Sequence, residues 1–212
     1  MVDYNEAEIT LLAHQEHTHA VTDVAVIGAE FDVRTMLLAT LYVYHANIET
    51  TANATGVKYI LQGRPLMTGA LDNDRWVDLI TFQTGITAAA RAQIVAAGEP
   101  QGQTQLEVKA DPTAAFLRGI DIYCHDAGTV ANGEWRKCDY SSTGGNHYVY
   151  VVDPINNALV EDDELWTQAE TFAAGEIGLG GIAYVRGLVL HTAASGSDIV
   201  FEMVLREVTG IA

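Results

Sequence analysis

Three histidines near the start of the chain, His14, His17 and His19, combine a metal-ligating residue type with close spacing. A zinc-type ion needs three or four such donors at about 2.0–2.3 Å from one point. On a helix only His14 and His17 would share a face, whereas on a strand His17 and His19 share one and His14 opposes them. No single regular element gathers all three, and no carboxylate stands where it would complete the set. They are the candidate metal ligands, set against a plainer reading as a polar strand edge or partner contact.

The other chemically suggestive groups fall short of their motifs. Asp72, Asn73 and Asp74 open like a calcium loop, but Trp76 and Val77 occupy positions where ligands and a glycine should follow, so a turn is expected. The run Glu161, Asp162, Asp163 and Glu164 reads as a solvated charged loop. The glycine-rich stretch 175–181 (GEIGLGG) has neither the Lys-Ser/Thr pair of a phosphate loop nor the G-x-G-x-x-G spacing, and reads as a bend. Ser141, Ser142, Ser195 and Ser197 sit in turn-like sequence without a nucleophile elbow. Asp121 and Glu134 flank an expected hairpin, yet paired carboxylates need a cleft that separates their pKa values. No catalytic residue and no cofactor is therefore assigned, and the chain is not expected to be an enzyme. Cys124 and Cys138 fall on neighbouring expected strands and could face each other; reduced buried thiols are the default in a cytoplasmic product.

Charge removes a further class. The 28 acidic and 11 basic residues leave a net charge of −17, and the three lysines (Lys58, Lys109, Lys137) and eight arginines form no run. A surface of that sign repels phosphates, so direct nucleic-acid binding is excluded. Such a surface suits solubility, a basic partner or a salty habitat. No stretch reaches the roughly 18 apolar residues of a membrane span, and the acidic start lacks the basic and apolar regions of a signal peptide. A soluble, cytoplasmically made protein without membrane contact is expected.

The elements that would position these residues are mostly strands. Residues 36–48 (MLLATLYVYHANI), 57–62 (VKYILQ) and 76–84 (WVDLITFQT) read as a three-strand antiparallel meander, the first two joined as a long hairpin. Residues 182–192 and 199–208 read as a second hairpin, closed by the loop around Gly196, that supplies the layer the meander needs. Residues 6–19 fit a short helix or a strand, and 86–97 (ITAAARAQIVAA) are helical by alanine content but β by context. After the linker at 98–103, short β runs separated by Gly, Pro and Asn turns suggest a small barrel. Residues 166–172 are read as one or two helical turns. The expectation is an all-β, jelly-roll-like antiparallel β-sandwich, residues 1–97 and 166–212, with an inserted small β-barrel-like module at 98–165. Trp76, Trp135 and Trp166 are expected to anchor core or interface.

YVYHANIE at 42–49, DNDRWVDLITFQTG at 72–85, EWRKC at 134–138 and LWTQAETF at 165–172 together resemble uncharacterised virion structural proteins of tailed phages or related viruses, over most of the chain. The resemblance implies a β-rich accessory protein of the particle, such as a capsid decoration protein, or a tail or head-to-tail component. It implies assembly in the host cytoplasm, contact with the major capsid protein or other virion proteins, and a symmetric homo-oligomer, with a trimer favoured. It carries over no catalytic or ligand residue. From another class, a carbohydrate-binding module would use Trp135 or tyrosines as sugar platforms; a metallohydrolase would use His14, His17 and His19.

Overall fold

The computed structural model describes residues 8–18, 25–50, 53–65, 75–86, 88–191 and 198–208. Strands are numbered in chain order. One sheet runs β1 (Glu8–Thr18), β15 (Asp198–Glu207), β4 (Leu38–Asn47), β13 (Ala169–Gly178) from edge to edge. A second runs β2 (Val26–Ile27), β14 (Ile182–His191), β5 (Asn53–Pro65), β6 (Val77–Ile86), with the short β3 (Phe31–Asp32) pairing β14 beside β2. All pairings in both sheets are antiparallel.

Leaving β3 aside, the chain changes sheet at every step between consecutive sandwich strands except from β5 to β6. That connectivity defines a double-sheet jelly roll. The core follows from the two-residue period: β14 turns Ala183, Val185 and Val189 inward while Tyr184, Arg186 and Leu188 stay half-exposed. Facing it, β4 and β15 contribute Leu41, Val43, Phe201, Met203 and Leu205, all fully buried in one cluster with Tyr59 and Leu61 of β5.

Between β6 and β13 the chain builds a third sheet, ordered β7 (Arg91–Gln93), β12 (Glu164–Trp166), β9 (Asp121–His125), β10 (Glu134–Thr143), β11 (His147–Val151), β8 (Gln105–Val108). It curls until its edges meet, where a bridge joins Ile94 to Val108 and Lys109 N–H donates to the Gln93 carbonyl at 2.8 Å. Closing the edges removes the unpaired backbone that exposed edge strands present. Inside lie Ile94, Leu106, Phe116, Ile122, Leu159 and both cysteines.

Several expectations are corrected. Residues 36–48 and 57–62 are not a hairpin: β4 and β5 lie in opposite sheets, and only β5 and β6 pair. Likewise β14 and β15 do not pair with each other; β14 joins β5 and β15 inserts between β1 and β4. Alternation marks which face a strand buries but not which strand lies beside it, and in a Greek-key chain the neighbour is distant in sequence. Residues 8–18 are strand, and 88–95 are extended around β7 because Ala92 and Ile94 enter the barrel core. The expected helical turns at 166–172 are β12 and β13, since Trp166, Ala169 and Phe172 all pack against sheet neighbours.

Gly28 shows how tightly the second sheet lies on the first. Its N–H donates to the Gly187 carbonyl at 2.9 Å, and a Cβ there would collide with the Leu11 carbonyl oxygen. A Cβ on Gly85, by contrast, would enter open space, with no atom within 4 Å. Gly28→Ala is expected to destabilise the fold by at least about 1 kcal/mol and Gly85→Ala by less than about 0.5 kcal/mol, read from urea midpoints; equal effects would contradict this packing.

Candidate functional site

The densest group of chemically able side chains lies where the barrel rests on the first sheet of the jelly roll. Strand β1 carries register shifts at Thr10/Leu12 and Leu12/Gln15. These irregularities free His14 from the inward face, and its Nε2 accepts a hydrogen bond from the Tyr123 hydroxyl of β9 at 2.8 Å. Tyr123 itself is fully buried, and its hydroxyl occupies the space a Cβ on Gly133 would need. Trp135, opposite Tyr123 in the β9–β10 register, places its ring 4.9 Å from both the His14 and Tyr123 rings and 5.4 Å from Tyr44. Its indole N–H donates to the backbone carbonyl of His45 at 2.9 Å. Ala46, Ala89, Tyr123, Trp166, Ala169 and Val200 form the apolar floor of this joint. Val200 points away from the sandwich core and is nevertheless fully buried, because the barrel covers it.

His45 links the joint to the sandwich interior. Its backbone holds Trp135, while its ring enters the core, where Nδ1 shares a 2.6 Å hydrogen bond with the Tyr59 hydroxyl. Burial, reinforced by nearby His191, pushes the His45 pKa down to about 3, so the ring is neutral and can accept from the phenol. Burial raises the Tyr59 hydroxyl well above the usual tyrosine range. His14 is likewise lowered, first by burial and then by His125 across the joint. The His125 Nε2 is buried and stands 3.7 Å from the Glu16 carboxylate.

These imidazole–phenol pairs resemble acid–base machinery in composition but not in access. General acid–base catalysis requires the proton-transferring atom to reach a substrate. Tyr59 and His45 are sealed between the two sheets, and Tyr123 is covered by Trp135 and His14. Nearby, a cleft of about 430 Å³ runs between barrel and jelly roll, walled by Ala88, Ala90, Ala169 and Leu117, with Glu170 on its lining. The Glu170 carboxylate is occupied by the Thr84 hydroxyl at 2.6 Å.

The structure separates the candidate histidines. His14 turns to the barrel, whereas His17 lies against the buried ring of His191 at 5.5 Å. His19 lies outside the described residues, as do Asp72, Asn73, Asp74, Ser195, Ser197 and Gly196. Among the described residues no group of three His, Cys, Asp or Glu side chains could hold a metal ion. The acidic run splits among separate partners: Glu161 pairs with Lys109 and Glu164 with Arg91, each at 3.1 Å. Buried Asp163 accepts from the Ala127 and Val160 amides at 2.8 and 2.7 Å. Asp121 and Glu134 do not form a catalytic pair. Asp121 binds Lys137 at 2.8 Å, while Glu134 is held by Arg136 and by the Asn156 amide at 2.8 Å.

Cys124 and Cys138 are free and buried in the barrel; Cys124 stands opposite Glu134 in the register, not opposite Cys138. Burial raises their thiols to about 12 and about 11, which keeps them protonated and inert. Trp135 is not an open sugar platform, because the joint uses its ring and its N–H. Two features escaped the sequence reading. His45 falls on the inward side of a recognisable strand, which alternation alone reveals once Leu41 and Val43 are placed. The arginine–aromatic stack of Arg64, Arg186, Trp76 and Tyr184 comes from strands distant in sequence and leaves no local signal.

No known protein family and no curated protein matches the chain. Among solved structures, it is similar to a chain in the structure of infectious bursal disease virus Gx strain, with 12% identity over 96% of this chain and 40% of that one, at a TM-score of 0.24. A chain in the infectious bursal disease virus VP2 subviral particle is similar at 9% identity over 98% of this chain and 81% of that one, at a TM-score of 0.22. The chain thus spans two fifths of the first of these. The jelly-roll assignment rests on the strand order above, and these distant likenesses add no argument to it.

The buried imidazoles make stability depend on pH. A histidine whose folded pKa lies below its ordinary value of 6.5 favours the folded state only while neutral, so its contribution is complete above that value and is lost as pH falls. Between pH 6.5 and 5, His45 alone is expected to remove about 1 kcal/mol per pH unit, with His14 acting in the same direction. Urea midpoints at pH 7.5, 6.0 and 5.0 read this directly; a midpoint that holds steady or rises on acidification would contradict the sealed His45–Tyr59 pair.

Proposed function

We propose that this chain is a structural protein of a virus particle, acting in the coat through protein contacts. The observation that carries the reading is the jelly roll with a β-barrel built between β6 and β13, seated on the first sheet by an aromatic joint. Double-sheet jelly rolls serve viral capsids, lectins and cupins. Fold alone does not choose among these, so the site must. A cupin binds its ion inside the roll, and here that space is filled by Leu41, Val43, Tyr59, Phe201 and Met203. The polar side chains with shifted pKa values hold the barrel on the roll or sit within the core. They support a stiff body whose outer surfaces do its work.

The finer reading is a decoration or stabilising protein seated on the shell and touching the major capsid protein, in the form of a symmetric homo-oligomer. The residues from β7 to β12 then act as an inserted module that projects from the roll. A quantitative mass-spectrometric inventory of purified particles tests both levels. Stoichiometric copies support a coat role. A copy number equal to that of the shell's most abundant protein would make the chain a shell-building subunit, and one set by a local symmetry axis would support decoration. Absence from intact particles would overturn the proposal.

One observation favours a second reading. Tyr140 is 46% exposed and stacks on Tyr150 with ring centroids 4.0 Å apart, with Tyr148 alongside at 6.0 Å from Tyr150. A tyrosine row on the outside of the barrel suits a sugar chain or a protein surface. Glycan-array binding that Tyr140→Ala abolishes while the melting temperature holds would favour a carbohydrate-binding role; an array without signal would remove it.

A further inference from the structure

On the outside of the barrel, an irregularity in β10 brings two phenols face to face. Cys138 pairs with Val151, but the next pair in register is Tyr140 with Tyr150, so β10 carries one extra residue at Asp139. Without that bulge Tyr140 would stand opposite the fully buried Val149; with it, the two tyrosines leave neighbouring strands on the same side. Their ring centroids lie 4.0 Å apart and their planes are 13° from parallel. Aromatic pairs usually settle about 4.5–7 Å apart, offset or edge to face. Here the carbons of one ring rest against those of the other at van der Waals contact.

No other tyrosine among the described residues combines this proximity with access. Tyr140 is the exposed one, at 46%. Tyr59 and Tyr123 are sealed in the interior, and Tyr42 and Tyr184 lie half-buried beneath Arg206 and Arg64. Tyr44 leans on Trp135 at the joint. Tyr148 shares the outer barrel face, but its ring stands 6.0 Å from that of Tyr150 at a tilt of 54°, and its hydroxyl accepts from the Asn146 side-chain amide at 3.1 Å.

We propose that Tyr140 and Tyr150 are a site of oxidative cross-linking, joined as dityrosine by a haem peroxidase with hydrogen peroxide as the oxidant. Each phenol gives up its hydroxyl proton and one electron, which leaves a radical shared between the oxygen and the ring carbons beside it. One Cε of Tyr140 then bonds to one Cε of Tyr150. The hydrogen that each of these carbons carried moves to its own oxygen, so both phenols are restored. Hydrogen peroxide takes up the two electrons and two protons and leaves as two waters, and the chain is lighter by two hydrogens. Holding the partners in contact makes the coupling a step within one chain, in preference to an encounter between two. The rings must tilt out of their stack toward a shared edge, and exposed Tyr140 has solvent to turn into. Both cysteines are free inside the barrel, so the new bond supplies a covalent tie across β10 and β11 that no disulfide provides. The inference rests on the barrel alone and stands apart from the coat reading.

The test treats the dilute full-length chain with a haem peroxidase and limiting hydrogen peroxide, and follows dityrosine fluorescence and intact mass. Wild type is expected to gain the fluorescence, lose two hydrogens and still run as a single chain on a denaturing gel, with a yield per chain that dilution leaves unchanged. Cleavage before aspartate releases residues 139–152, and tandem mass spectrometry of that peptide is expected to show no backbone breaks between Tyr140 and Tyr150. Y140F, which keeps the ring and loses the phenol, is expected to form dityrosine at least about tenfold more slowly, whereas Y148F stays within about twofold of wild type. Melting temperatures check that both variants fold; if Y140F does not, Y150F replaces it, and the wild-type peptide still maps the bond. A bond to Tyr148, a product formed mainly between chains, a Y140F rate equal to wild type, or no dityrosine by the point where methionine and tryptophan oxidise would each overturn the proposal.

Discussion

The architecture depends on where the last strand goes. β15 enters the first sheet between β1 and β4, in register with β4 from Ile199 opposite Asn47 to Glu207 opposite Ala39. With its neighbours in place it supplies Ile199, Phe201, Met203 and Leu205 to the sandwich core, all fully buried. Its opposite side meets the barrel through Val200. Until residues from both ends of the chain meet, neither sheet has a complete inner face and the barrel has no surface to rest on. Ordering strands so far apart in sequence costs loop entropy before contacts reward it, which marks such a chain as a slow folder.

Seating the barrel imposes the second constraint. The joint of aromatic rings, two imidazoles and small alanine walls is fastened by two hydrogen bonds, one between Tyr123 and His14 and one from Trp135 to the His45 carbonyl, while the Trp166 indole nitrogen is buried without one. His45 ties this joint to the inside of the roll, since one residue serves the barrel through its backbone and Tyr59 through its ring. The polar groups that could be mistaken for a catalytic constellation are therefore the ones that set the two bodies against each other. That is the physical basis for reading the chain as a structural part.

The sequence made the class of the fold legible, and much of the buried face of each strand, because alternation is local. It showed that residues 182–192 and 199–208 must close over the earlier strands. It did not show which strand neighbours which: β4 and β5 read as a hairpin because each looks complete alone, and only the sheet order reveals a crossing between layers. His14 and His17 illustrate the same limit at a site. Three residues apart on one strand, they part by alternation alone, but which of them faces the barrel is set by bulges in β1, and a bulge leaves no mark in a run such as EITLLAHQEHT. Trp135 read as a core or interface anchor, and the position of His45 ninety residues earlier in the chain shows which contact it makes. The arginine stack over Trp76 was invisible because β5, β14 and the residue leading into β6 supply one or two members each.

Native-state hydrogen exchange of the β15 amides tests the central claim most directly. If β15 is the inner strand that completes the sandwich, the amides from Val200 to Leu205 exchange only through global unfolding, as slowly as the slowest amides of β4. Exchange of those amides well ahead of β4, or ahead of β9 and β10 in the barrel, would show that the last strand docks on a body already complete and would contradict the account.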